Sequence, residues 1–477
     1  MNNSPISAHN AFYSKKYQQL LESLRNNDMM RNEALQTGSI DNFMSDYQYP
    51  YGCWPIILSK PRVAEFTRFN KMLPVLMHKV IRSYFKDDPQ GFADYLNTSS
   101  FLYHMMAKLD VDSRDLFLRH DMVFSNNEFK LLEVNAGSNI GGWQMDWVIP
   151  ALQKIWQGYP ETQSLNLRTR NVVREIFEKA CQSMMRLPRS GVVGNLLLIT
   201  STVPNYQRME QDLTELYEQI KPSALAKGKL IWINNTNDIE VRADGLAYYK
   251  DQVMDAVFLN SDMARDIPQH KIMNLAKSYV AGNLVFPDSP FHNILGNKHL
   301  LALLHLAAQQ AKDPANNKIS LTDEELQLIE RHIPWTVKLN TPVVTWQGES
   351  HALPELLKSH QSQFVIKKSL SMQGLDVLIG KTTSKALWHK AIDEHCHDND
   401  WLVQQYCEPD PVTTCHPDYG LAESSLIWGV FDIGGDYSGA FIRSVLADTQ
   451  QRVINSANGA VEFLVVEEGE KTHKLVI

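Results

Sequence analysis

Apolar positions fall into three textures along the chain. In the first, residues 11 to 35 are polar with helical spacing, and "YQYPYGCWPIIL" (47 to 58) is aromatic, proline-rich and expected to be an ordered loop. From 62 to 85, Phe66, Phe69, Leu73, Leu76, Val80, Ile81 and Tyr84 recur near helical spacing, with Pro74 expected to kink or break the helix. "DLFLRHDMVFSNNEFKLLEVN" alternates as strand, turn and strand, with "SNNE" as the hairpin turn. A helix is expected over 164 to 186.

The texture then changes. "NLLLIT", "KLIWIN", "DAVFLN" and "GNLVFP" are short continuous apolar runs, and helical patterns separate them from about 207. Strands alternating with helices predict a small parallel α/β section. A third texture begins with the helix "ILGNKHLLALLHLAAQQA". The strands "QFVIKKS" and "DVLIG", a helix at 383 to 396 and the strand "WLVQQYC" follow. The end, from "SLIWGVFDI" to "VEFLVVE", predicts antiparallel strands. The fold class is therefore α+β with an α/β section.

Composition narrows the function. A chain of 477 residues is long for one domain and predicts two or three lobes. A formal net charge of −8 argues against a general nucleic-acid binder. No apolar run approaches the roughly eighteen residues of a membrane span. The N-terminus lacks the apolar core of a signal peptide. Five cysteines without a C-x-x-C suit a reducing, cytoplasmic setting.

Three stretches carry candidate chemistry. In "LLEVNAGSNIGG", Glu133 and Asn135 lie two apart, so a strand projects a carboxylate and an amide side by side. Asp121 sits on the partner strand, with Arg119 on the same face. Such an all-oxygen set suits Mg2+, and an arginine beside it suits phosphate. By spacing alone the bland alternative, a solvated hairpin, is favoured about two to one. In "FVIKKSLSMQGLDVLIG" a lysine closes a strand before a Ser/Gly turn whose amides could cover phosphates; most such hairpins are plain turns, and no Walker loop is present. In "WLVQQYCEPD" an apolar strand ends in polar residues that could face a purine edge; in isolation it is more often an ordinary buried strand.

Together these stretches resemble the ATP-grasp superfamily. The resemblance implies ATP-binding roles for Lys298, Lys367, Ser369, Ser371 and Gly374. It implies an adenine hinge at Gln404, Gln405, Tyr406 and Cys407, with Cys407 a pocket wall and not a nucleophile. It implies Mg2+ ligands at Asp121, Glu133 and Asn135. Arg443, and with it Arg119, would neutralise the transferring phosphoryl group. "VINSANGAVEF" resembles the asparagine-rich turn after that arginine, with Asn455 and Asn458. The order is reversed: the metal strands precede the nucleotide motifs. That order resembles the circularly permuted ATP-grasp proteins, including the glutathionylspermidine-synthetase-like group. Lys368 stands where the family usually has proline, Gln404 where many members have glutamate, and the loop has one glycine.

On this resemblance the chain divides into a helical region (1–110), a metal-binding part (111–187), a pre-ATP-grasp-like α/β domain (188–292), and a nucleotide lobe whose last strands complete the metal lobe (293–477). The implied activity is ATP- and Mg2+-dependent ligation of a small carboxylate to an amine through an acyl phosphate, with the loop at 369 to 375 closing over the site. Phosphotransfer to a small molecule and non-catalytic nucleotide binding are the alternatives. A zinc site at His395, Cys396, His397 and Asp398 is a remote one, because adjacent helical residues point apart. Trp143, Gln144 and Trp147 either line an acceptor pocket or pack.

Overall fold

A computed structural model describes residues 13–36, 40, 47, 49–106, 113–200, 206–260, 267–313, 318–371, 376–449 and 453–469. The chain opens with the helix Lys15–Asn26, capped by the Ser14 hydroxyl, which accepts from Lys16 N at 3.0 Å. The segment expected to be a loop ends in a strand, β1 (Ile56–Leu58), buried on both faces. The helix Lys60–Tyr84 runs through Pro74 without a break. An interior proline costs about 3 kcal/mol. Phe66, Phe69, Leu73, Leu76, Met77, Val80 and Ile81 are buried on either side of it, each contributing about 1.5–3 kcal/mol, so packing outweighs the lost hydrogen bond.

The hairpin forms as expected from β2 (Phe117–Ser125) and β3 (Glu128–Ala136). Its turn residues Asn126 and Asn127 have φ of 53° and 61°, which asparagine tolerates better than most side chains. Asp121 pairs with Glu133 but Met122 pairs with Leu131, so Leu132 is an extra residue. This bulge lets Leu131 and Val134 both enter the core while Glu133 and Asn135 stay on the other face. The helix expected from 164 starts only at Val172, where the Asn171 side chain accepts from Val173 N and Arg174 N. Just before it lies a short strand, β4 (Leu167–Arg168).

Next come β5 (Leu196–Thr200), β6 (Leu230–Ile233), β7 (Ile239–Val241), β8 (Ala247–Tyr249), β9 (Gln252–Val253) and β10 (Ala256–Asn260). Strands β10, β5 and β6 form the expected parallel sheet. The fourth expected strand, in "GNLVFP", contributes one bridge, Val285 to Ala256. The antiparallel trio β7-β8-β9 has no counterpart in the expectation.

The third texture supplies β11 (Thr336–Lys338), β12 (Val343–Trp346), β13 (Glu349–Ala352), β14 (Phe364–Lys368), β15 (Val377–Ile379) and β16 (Trp401–Gln405). Four of them make an antiparallel sheet in the order β11-β16-β14-β15. It has its own core, in which Trp388 and Ile392 of the helix Lys385–His395 meet Phe364, Ile366 and Val403.

The last strands are β17 (Val412–His416), β18 (Gly420–Ile433), β19 (Asp436–Leu446) and β20 (Val461–Glu468). They complete the main sheet in the order β1-β20-β19-β18-β2-β3, with β17 added to β18 and β4 to β20. The hairpin near residue 130 and the strands after 420 are thus parts of one sheet. No helix among the described residues is long and apolar enough to cross a membrane.

Candidate functional site

Strand alternation puts Arg119 and Asp121 on one face of β2. Arg119 Nε donates to Asp121 Oδ1 at 2.7 Å and Nη2 to Oδ2 at 3.1 Å. From β19, Arg443 Nη2 lies 2.9 Å from Asp121 Oδ2. Strand β18 runs between them, and the residue it places beside Asp121 is Gly429. A Cβ there would lie 2.7 Å from Phe441 Cε1 and 3.0 Å from Arg119 Cδ. The glycine leaves a hollow that these side chains fill, and the Phe441 ring stands 5.6 and 5.4 Å from the Arg119 and Arg443 guanidinium carbons. Burial raises the Asp121 carboxyl, but the two guanidiniums outweigh it and hold it well below the usual carboxylate range.

Glu133 faces the second sheet. Lys298, at the start of the helix His299–Ala311, places Nζ 3.1 Å from Glu133 Oε2. Lys367 is the penultimate residue of β14; its Nζ donates to Gln404 Oε1 at 2.7 Å and to the carbonyl of the bulged Leu132 at 3.3 Å. Burial pulls the Lys367 ammonium down to about 8, the nearby Glu133 charge opposing. Ser369 and Ser371 fasten Lys298: the Ser369 carbonyl accepts from Lys298 N at 3.1 Å, and that of Ser371 from Lys298 Nζ at 3.3 Å.

Asn135 Nδ2 donates to the Arg119 carbonyl at 3.5 Å, which leaves Oδ1 for another partner. The glycine-rich turn after it wraps Arg119, whose Nη1 donates to the Ile140 carbonyl. Gly141, at φ +77°, would bring a Cβ within 3.0 Å of that same nitrogen. Buried Asp288 pins the turn from the α/β section, accepting from Ser138 N at 2.7 Å, Ser138 Oγ at 2.8 Å and Leu259 N at 2.8 Å.

The hinge residues separate. Gln404 is 1% exposed, and its amide is spent on Lys367 and on Thr336 Oγ1 at 3.2 Å. It holds the lysine in place from within the sheet. Gln405 N and Tyr406 N donate to the Trp335 and Gln363 carbonyls, both at 2.8 Å. The half-buried Cys407 thiol is pushed up to about 11 by burial. Gly374 lies outside the described residues. Trp143 and Trp147 are packed, while Gln144 reaches β20 and donates to Glu462 Oε2 at 3.4 Å. Among the described residues no group of three His, Cys, Asp or Glu is arranged to hold a metal, and His395 instead stacks on Trp401 at 4.1 Å.

The joint between the two sheets therefore gathers Arg119, Arg443, Lys298 and Lys367 against Asp121 and Glu133. With Glu462 opposite Arg443, four cations face three carboxylates, and the surplus is positive. Arg443 Nε and Nη2 are buried without an aligned acceptor, as is Ser371 Oγ. The Arg443–Asp121 contact is thus close in charge but poorly directed as a hydrogen bond. Such donors fit a polyanion such as a nucleotide's phosphates. The fit to Mg2+ is narrower. Glu133, its side chain 30% exposed, and Asn135 Oδ1 are available oxygens, whereas both Asp121 oxygens already face guanidinium nitrogens.

Sequence reasoning missed Gly429, Phe441, Asp288 and Glu462. Only Gly429 left a signal, a glycine inside the apolar run "LIWGVF".

The solved structure of a glutathione synthetase-like effector from Globodera pallida, in its apo form, superposes with a TM-score of 0.56 at 12% identity, covering 96% of this chain and 98% of that one. The chain shares that protein's fold. At such low identity the likeness carries architecture alone. No protein-family model and no curated protein sequence matches the chain.

Proposed function

We propose that this chain is a carbon–nitrogen ligase of the ATP-grasp type, joining a small carboxylic acid to an amine at the expense of ATP. The observation that carries the reading is the meeting of Lys298 and Lys367 with Glu133, and of Arg443 with Asp121, across more than 160 residues of sequence in each case. An ordinary pair of solvated hairpins would not bury four cations. The glutathione synthetase-like effector that shares the fold supports the same class. The sheet completed by both early and late strands is the connectivity that a circularly permuted chain requires.

In this reading Lys298 and Lys367 bind the inner phosphates, and Arg443 with Arg119 takes the phosphoryl group passing to the substrate carboxylate. Glu133 and Asn135 would hold Mg2+, which neutralises phosphate charge when bound. Asp121 would join them once phosphate engages its two arginines. The protein makes no covalent bond to the substrates; it positions them and stabilises charge. The amine then attacks the acyl carbon and displaces phosphate, giving the amide and inorganic phosphate.

Phosphate release from Mg-ATP, followed with pools of carboxylic acids and amines, tests the proposal. Release is expected to need both an acid and an amine, and Glu133→Gln is expected to abolish it with an unchanged circular-dichroism spectrum. Release that needs neither co-substrate, or a normal rate in Glu133→Gln at saturating magnesium, would overturn it.

A further inference from the structure

We propose that Glu462 receives the amine substrate, anchoring it as a primary ammonium and accepting its proton. This rests on the ligase reading above.

Glu462 stands on β20 directly opposite Arg443 on β19, and side chains so paired have Cβ atoms about 4.5–5.5 Å apart. A group bound to Glu462 is therefore adjacent to one bound to Arg443. The carboxylate is 3% exposed and is held by three half-buried side chains from separate segments. The Tyr47 hydroxyl donates to Oε2 at 2.5 Å, the Ser456 hydroxyl to Oε1 at 2.5 Å, and Gln144 Nε2 to Oε2 at 3.4 Å. Backbone bonds lock the first segment down: Gly52 N donates to the Glu462 carbonyl and Glu462 N to that of Pro50, both at 2.8 Å.

One observation sets this cluster apart from a structural clamp. The Tyr51 hydroxyl, on a residue 3% exposed and in register with Glu462, is buried without a partner. Its oxygen can accept from a donor, and a buried polar atom left open beside a carboxylate points to a polar group that enters between the two. The charged or titratable groups facing it are Tyr47, Tyr51, Arg443 and, two strands further, Arg119. The carboxylate is the anion of this set, and an ammonium is its complement. Burial raises the Glu462 carboxyl from its ordinary value, with its hydrogen-bond donors and Arg443 opposing.

The step balances. The ammonium gives one proton to Glu462 and the freed lone pair attacks the acyl carbon. The C–N bond forms, the C–O bond to phosphate breaks, and the second nitrogen proton leaves on phosphate as hydrogen phosphate.

Glu462→Gln separates this role from support of Arg443. Hydroxylamine is neutral at pH 7 and needs neither an ammonium anchor nor prior deprotonation. With the acid found in the phosphate-release screen, amide formation with an alkylamine is expected to fall at least a hundredfold in Glu462→Gln. Hydroxamate formation is expected to fall less than tenfold. Equal losses in both would make Glu462 a support for Arg443 and overturn the proposal, as would no loss in either. Saturation-transfer NMR with n-alkylamines against n-alcohols of the same length gives a readout that does not need turnover. The wild type is expected to bind amines in preference, and Glu462→Gln to lose that preference. Wild-type hydroxamate failing with every acid would defeat the ligase reading, while the NMR arm still decides the amine site.

Discussion

Lys367→Met is expected to stabilise the ligand-free protein and to cripple nucleotide binding. The buried ammonium falls from the ordinary 10.5 to about 8, and that drop corresponds to about 3 kcal/mol of unfavourable burial. Methionine removes the charge at similar length. Against this, Gln404 Oε1 loses its donor, which costs about 1–3 kcal/mol. The net change in urea denaturation at pH 7 is therefore between about zero and 2 kcal/mol in favour of the variant. Between pH 8 and 10.5 the unfolded wild type still holds a proton that its folded form has released. Wild-type stability then rises with pH, and the gap to the variant closes. ATP affinity moves the other way: loss of one partner of a buried charged contact costs about 2–5 kcal/mol, at least thirtyfold by calorimetry. A variant destabilised by more than about 2 kcal/mol, a gap indifferent to pH, or unchanged ATP affinity would refute the placement of Lys367 as a buried phosphate ligand.

Gly429→Ala forces its Cβ to 2.7 Å from Phe441 Cε1; it is expected to cost about 1–3 kcal/mol in denaturation midpoint experiments and to slow ATP-driven phosphate release by displacing both arginines. Asp121→Asn leaves two guanidiniums without their anion and is expected to cost about 3–5 kcal/mol; because the folded carboxyl lies below its ordinary 3.8, the wild-type advantage is full above that value and disappears as the pH falls below it. Asp288→Ala removes the acceptor of Ser138 N and Leu259 N; faster hydrogen exchange confined to residues 137 to 142 and 259 is expected, and unchanged exchange would show that the turn is held by other contacts.

Local pattern determined the hairpin, the parallel strands, β14, β15 and β16 of the third texture and the antiparallel strands at the end, because alternation and apolar runs are properties of neighbouring residues. It also placed Glu133 beside Asn135 and Arg119 beside Asp121. It overran at 164, where Asn171 starts the helix late, and it expected Pro74 to matter more than the packing around it allowed. It could not foresee the bulge at Leu132, which depends on the partner strand's register and turns that residue's carbonyl toward Lys367. Nor could it foresee that the Gln404 amide, expected in the hinge, bonds a lysine on the next strand, or single out Glu462, whose partners come from residues 47, 144 and 456. Residue types and their spacing along one strand are written in the sequence. Which strand lies next to which is decided by burial of whole sheet faces, and that alone brings residues 121, 133, 298, 367 and 443 into one joint.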